Sequence, residues 1–147
     1  RWTIIDFGVA RMAGESTLTF DAIVGTPSYM APEQAKGSVV THRTDLFALG
    51  VIAYRALTGQ PAFEDEGAVQ TLYRIVNEMP LQPSEIAPLP PALDAVFAVA
   101  LAKDPRDRFA SAADMVRAFE EACAGRADPA LRTHAEKLLA DLPWRSA

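Results

Sequence analysis

The sequence is poor in the residues that build disulfides and metal centres. One residue of 147 is cysteine, Cys123, and two are histidine, His42 and His134. A lone cysteine closes no internal disulfide, which fits a reducing cytoplasm. One cysteine and two histidines without ligand spacing make no zinc site of the usual kind. Positive charge is also scarce: 14 Lys and Arg stand against 19 Asp and Glu, for a net charge of −5. That balance speaks against nucleic-acid or anionic-membrane partners, which need clustered cations. The longest apolar run, Leu46–Tyr54, falls far short of the roughly 18–20 residues of a membrane-spanning helix. No signal-peptide pattern opens the chain. It starts at Arg1 and enters an apolar, β-branched stretch at once, so the expectation is a chain cut from a longer one.

What is present is enough for a core. Half of the residues are hydrophobic and 22% are charged, as in globular proteins. Residues 1–8 read as a strand that runs into a turn and carries Asp6 with it. Residues 12–28, punctuated by Gly14, Gly25 and Pro27, read as a long loop. Loops of that length inside compact domains are usually functional. Residues 45–57, DLFALGVIAYRAL, are apolar nearly all round, which predicts a helix buried on every side. It ends at Gly59, a suitable C-cap, with Pro61 beyond.

Three amphipathic helices follow by their spacing: one on Val69, Leu72, Tyr73 and Val76, one on Leu93, Val96, Phe97, Ala100 and Leu101, and one on Ala112, Met115, Val116, Phe119 and Cys123. Ser111 and Asp114 form a start signal for the last, and Gly125 follows its end. MPLQPSEIAPLPP, between the first two, reads as non-helical because of its prolines. A tail helix starts at Asp128-Pro129 and places Leu131, Ala135, Leu138 and Leu142 on one face. Cys123, on the apolar face, reads as an inert core residue.

Four blocks carry a resemblance. DFG stands at residues 6–8 and GTPSYMAPE at 25–33; DLFALG follows at 45–50 and KDPRDRF at 103–109. In this order they resemble the eukaryotic-type (Hanks-type) serine/threonine protein kinases, whose activation segment runs from D-F-G to A-P-E. The likeness covers residues 1–125, and the composition suits the bacterial branch. It implies a mainly α fold: the large, C-terminal lobe of a protein kinase, entered by a short N-terminal strand and the activation segment, with a buried central helix and surrounding helices. Residues 1–125 are then a partial kinase domain and residues 126–147 a C-terminal helical extension.

The resemblance also implies roles. Asp6 would hold Mg²⁺ on the phosphates of ATP; a cation that takes few protein carboxylates needs only one there. Phe7 would pack toward the small lobe, and Gly8 would permit a backbone switch. Thr17, Thr19 and Ser16 are candidate activation-loop phosphosites, since a phosphate there could order the loop against arginine. Thr26, Pro27 and Tyr29 lie in the substrate-binding loop, with Thr26 favouring Ser/Thr over Tyr substrates. Glu33 and Arg108 would form a buried ion pair between that loop and the helical base. Arg106 competes for the role, but Arg108 has the P-x-x-R spacing from Pro105. Asp45 would accept backbone N–H bonds from the catalytic loop, and Gly50 belongs to the central helix. Arg55 stands where several basophilic kinases carry an acid, which argues against a preference for basic substrates.

Several parts of the family's site do not occur within residues 1–147: the Gly-rich loop, the ATP-binding lysine with its glutamate, and the H-R-D catalytic loop. The catalytic base is therefore expected upstream. The expectation is a cytoplasmic kinase acting on Ser/Thr of proteins, with this chain alone neither binding ATP tightly nor catalysing transfer. Its partners would be protein substrates and the missing N-terminal kinase part, with no nucleic acid and no membrane segment. One face of the 45–57 helix, having lost its upstream neighbours, would then be bare. Alternatives are a non-catalytic protein-interaction module derived from the lobe, and a remnant without function.

Overall fold

A computed structural model describes residues 27–64 and 66–146. The expected strand, Asp6, Phe7, Gly8, Ser16, Thr17, Thr19 and Thr26 lie outside the described residues. Within them the chain is helical: α1 (Pro32–Ala35), α2 (His42–Thr58), α3 (Ala68–Asn77), α4 (Pro83–Ile86), α5 (Ala92–Ala100), α6 (Ala112–Cys123) and α7 (Pro129–Asp141), with single 3₁₀ turns at Pro27–Tyr29 and Pro105–Asp107. Among the described residues there is no sheet; one isolated parallel bridge joins Leu81 to Arg145. No described helix is long and apolar enough to cross a membrane.

α2 and α5 form the centre. α2 starts at a reciprocal cap: Arg43 N donates to Thr41 Oγ1 at 3.2 Å and Thr41 N to Thr44 Oγ1 at 3.1 Å. It stops at Gly59, whose φ of 72° suits a residue without Cβ. Its inner face buries Leu46, Phe47, Gly50, Val51 and Tyr54. α5 is buried along nearly its whole length, from Leu93 to Leu101. Each such large apolar side chain contributes about 1.5–3 kcal/mol by leaving water. Gly50 sets the approach of the two helices, since a Cβ there would lie 3.2 Å from Ala100 Cβ and Leu101 Cδ2. Phe97 joins the layers edge-on, with ring centroids 5.5 Å from Tyr54 and 5.1 Å from Phe119. The Tyr54 hydroxyl donates to Leu81 O at 2.7 Å and fixes the α3–α4 connection to α2.

The structure corrects four of the expectations. α2 is not enclosed on every side, as its apolar run suggests, but has the one bare apolar face also expected: Leu49 is 41% and Ile52 52% exposed. A uniformly apolar helix buries only the faces for which a partner is at hand. α3 turns differently from its expected stripe. It buries Thr71 and Ile75 and leaves Val69 and Tyr73 in water, because it packs on α1 and the Pro27–Tyr29 turn along a narrow line. The proline-rich connection does contain one helical turn, α4. Its proline is at the first position, where no N–H is needed, and Ser84 N is capped by Asp94 Oδ1 at 3.0 Å. Finally, Cys123 and Val116 are exposed and not in the core, since α6 meets α5 through Met115, Ala122 and the flanking Phe119.

α6 begins at Ser111, whose Oγ accepts from Asp114 N at 3.1 Å. α7 begins at Asp128, whose Oδ1 accepts from Ala130 N at 2.9 Å. It lies along α5, with Ala135 buried and Leu131, Leu138, Leu139, Leu142 and Trp144 packed beside the core. Arg145 N donates to Pro80 O at 3.0 Å, and His134 Nε2 to Asp107 O at 2.8 Å. The tail is thereby tied to the α3–α4 connection and to the loop before α6.

Candidate functional site

Among the described residues, buried polar contacts gather where the loop after α5 meets α1 and the start of α2. Arg108 reaches back to Glu33, the second residue of α1. Nη1 donates to Oε1 and Nη2 to Oε2, both at 2.7 Å. The side chains of this fork-to-fork pair are 0% and 5% exposed. A buried ion pair is stable only when its remaining donors and acceptors are filled. Here Arg108 Nε donates to Ala102 O at 2.8 Å, Nη1 to Arg43 O at 3.0 Å, and Nη2 to Lys103 O at 3.2 Å. All five guanidinium N–H groups are thus used. On the acid side, Thr44 Oγ1 donates to Glu33 Oε1 at 2.7 Å. Burial pushes the Glu33 carboxyl up, but the hydrogen bonds from Arg108 and Thr44 outweigh it and hold the carboxyl below its ordinary value of 4.5.

Arg43 braces the same loop from α2. Its Nη1 donates to the carbonyls of Pro105, Arg106 and Arg108 at 3.0, 3.0 and 3.1 Å. His42 Nε2 donates to Ala110 O at 3.0 Å. Arg106 points away: it is 90% exposed and pairs with Asp104. The hydrogen bonds from Arg106 hold the Asp104 carboxyl down to about 2. The pair closes a local turn, with Arg106 N donating to Asp104 Oδ1 at 2.8 Å.

The segment 27–33 is thereby fixed at both ends. Met30 N donates to Pro27 O at 2.9 Å, closing the 3₁₀ turn, and Ser28 is buried. Tyr29 accepts on its hydroxyl from Arg55 Nη1 of α2 at 3.1 Å. Glu33 at the far end is held by Arg108. Asp45 is exposed and has no hydrogen bond or ion pair among the described residues. Thr44 and Arg43, absent from the sequence reading, are the missed members of this cluster. Their only sequence signal is position beside Asp45, and neither type carries chemistry that singles it out.

A second feature is apolar. Leu49, Ala53, Met115, Val116, Phe119 and Cys123, with Glu120 at the rim, line an open groove of about 340 Å³ between α2 and α6. Among the described residues no cluster of three His, Cys, Asp or Glu side chains could hold a metal ion.

Comparison with known proteins gives the family and the fold. The family described as protein kinase domain matches residues 2–123. A probable serine/threonine-protein kinase of Corynebacterium efficiens is 39% identical over 142 residues, which are 91% of this chain and 22% of that protein. The serine/threonine-protein kinase PknB of Mycolicibacterium smegmatis is 42% identical over 116 residues, 76% of this chain and 19% of that protein. The chain thus spans about a fifth of the length of the curated relatives it matches. Among solved structures, the twitchin kinase region from C. elegans superposes with a TM-score of 0.57 at 22% identity. The superposition covers 79% of this chain and 21% of that one, a likeness of fold.

Proposed function

Since the chain belongs to the protein kinase domain family, we propose that it is the large-lobe part of a serine/threonine protein kinase that transfers the γ-phosphate of ATP to Ser or Thr of protein substrates. The observation that best supports this reading is the closed Glu33–Arg108 pair, which anchors segment 27–33 to the helical base. A peptide laid on that segment would meet a rigid platform, and phosphoryl transfer depends mainly on positioning and electrostatics. Thr26, Pro27 and Tyr29 form the platform in this reading, with Thr26 favouring Ser/Thr acceptors. Thr17, Thr19 or Ser16 takes a regulatory phosphate, Phe7 serves contact with the small lobe, and Gly8 permits a backbone switch.

Asp6 would be the residue of this chain that holds Mg²⁺, a cation that takes few protein carboxylates. Bound Mg²⁺–ATP supplies the phosphoryl group. The chain's own residues hold the acceptor segment and, through exposed Asp45, present a carboxylate to backbone N–H groups from outside the described residues. The apolar α2–α6 groove is the seat of kinase-domain residues not contained in 1–147. Within 1–147 there is one metal ligand and no base, so this chain by itself neither turns over ATP nor binds it tightly. Localisation in the cytoplasm follows from the same reading.

The test has two arms. The whole gene product should phosphorylate Ser/Thr peptides, and Asp6→Ala should abolish transfer. The 147-residue chain alone should give no heat on calorimetric titration with Mg-ATP. Micromolar binding by this chain, or a whole product that phosphorylates only Tyr, would overturn the proposal. Arg55, a cation beside Tyr29, should also leave peptide selection free of upstream arginine, and a peptide array dominated by such arginine would contradict that. The exposed apolar groove favours one second reading, a lobe kept as a protein-interaction module. It would be preferred if the whole product bound partners undiminished by Asp6→Ala while transferring no phosphate.

A further inference from the structure

A buried amine lies beside the Glu33–Arg108 pair. Lys103 opens the loop that carries Arg108. Its Nζ lies 4.2 Å from the centroid of the Phe63 ring and 5.8 Å from that of Phe47. Those two rings are stacked 5.9 Å apart at 10°. The guanidinium carbon of Arg108 lies 4.7 Å from the Phe47 centroid, so two basic side chains converge on one aromatic pair. Arg108 has a carboxylate and three carbonyls to itself. Lys103 Nζ is buried and has no hydrogen-bond partner among the described residues. An ammonium has three donors and a full charge to satisfy, and ring faces offset only part of that cost.

The backbone of Lys103 is as closely engaged as its side chain is isolated. Its carbonyl accepts from Arg108 Nη2 at 3.2 Å, and the preceding carbonyl, of Ala102, from Arg108 Nε at 2.8 Å. A movement that carries the ammonium toward water therefore pulls on the acceptors that orient Arg108. We propose that Lys103 is a proton-sensitive positioning residue: held as a buried neutral amine it lets the 102–108 loop close on Glu33, and taking up a proton loosens that closure. The consequence for substrate binding rests on the kinase reading above, while the proton coupling does not.

The charged groups acting on Lys103 are Arg108 from its own loop, Lys36 after α1 and Glu78 at the end of α3. α2 and the 61–64 segment face it with the Phe47 and Phe63 rings. Burial first, then Arg108 and Lys36, push the amine down, with Glu78 opposing; it comes from 10.5 to about 7. An opened loop returns the amine to water, where 10.5 applies. Between those limits the open form binds more protons. The closure is therefore tightest at alkaline pH, weakens as pH falls toward about 7, and changes no further below it.

The full chain has three lysines, Lys36, Lys103 and Lys137, so carbon-13 labelling at lysine Cε resolves each titration. One resonance should titrate near pH 7 and be missing from Lys103→Met. Hydrogen exchange over residues 102–109, normalised for intrinsic rates, should show protection falling by up to about tenfold per pH unit from pH 9 to 7. Protection should be pH-independent and high in Lys103→Met, and low throughout in Lys103→Arg, whose charge persists. Titration of all three lysines near 10.5, or the same pH dependence in wild type and Lys103→Met, would overturn the proposal. Should the Met variant fail to fold, the Cε titration of the wild type decides alone. Neither readout involves ATP or a substrate, so failure of the kinase reading leaves them standing.

Discussion

The two sides of α2 are finished to different degrees. At its start, Arg43 and Thr44 enter a cluster in which every donor of Arg108 and both oxygens of Glu33 are used. Along its other side, Leu49 and Ile52 face water, and Leu49 shares a groove with Val116, which is 49% exposed. A polar cluster completed to its last hydrogen bond and an apolar stripe without a cover, on one helix, teach that local energetics are satisfied only where the described residues supply partners. Arginines two positions apart make the same point: Arg108 is enclosed and Arg106 is 90% exposed. Burial, more than identity, decides what a charge is worth.

The Glu33–Arg108 clasp should carry the largest effects. Arg108→Ala or Glu33→Ala should lower stability by about 3–5 kcal/mol in urea denaturation, because the surviving charge is stranded out of water. The double change Glu33→Leu/Arg108→Met should cost less than either, and a single change costing under about 1 kcal/mol would contradict the role given to the pair. Acid should act in the same direction. The Glu33 carboxyl is held below its unfolded value of 4.5. Its contribution is therefore complete above that pH and lost as pH falls through the lower folded value. In Glu33→Gln this part of the acid transition should vanish from a pH-resolved unfolding series.

The inner and outer faces of α2 offer the next contrast. Phe47→Ala should cost about 3–5 kcal/mol, while Leu49→Ser with Ile52→Gln should change stability by less than about 1 kcal/mol. The smallest effect belongs to Arg106→Ala: a shift of the unfolding midpoint well below that of Arg108→Ala, and one that shrinks further in salt.

Much of this was legible in the sequence, for identifiable reasons. The helices over 92–100, 112–123 and 129–141 announce themselves by apolar spacing and by Ser111, Asp128 and Pro129. Arg108 stands out from Arg106 only through the family resemblance, whose P-x-x-R motif from Pro105 falls on it. The side of α3 that turns inward was not legible. Val69 and Tyr73 fit a helical stripe as well as Thr71 and Ile75 do, and only the position of α1 selects between them. The bracing by Arg43 and Thr44 is hidden because their partners lie far along the chain. Lys103 is hidden for a different reason. A lysine next to Asp104 reads as a solvated surface residue until Phe47 and Phe63 are seen to close over its amine.

Among the described residues α2 is closed over at the Glu33–Arg108 clasp and exposes apolar side chains on the α6 side. Sedimentation velocity on the 147-residue chain, beside its Leu49→Ser/Ile52→Gln/Val116→Gln variant, tests it most directly. The wild type should self-associate, and the variant should be a monomer with an unchanged unfolding midpoint. A monomeric wild type, or a variant that loses as much stability as Phe47→Ala, would contradict it.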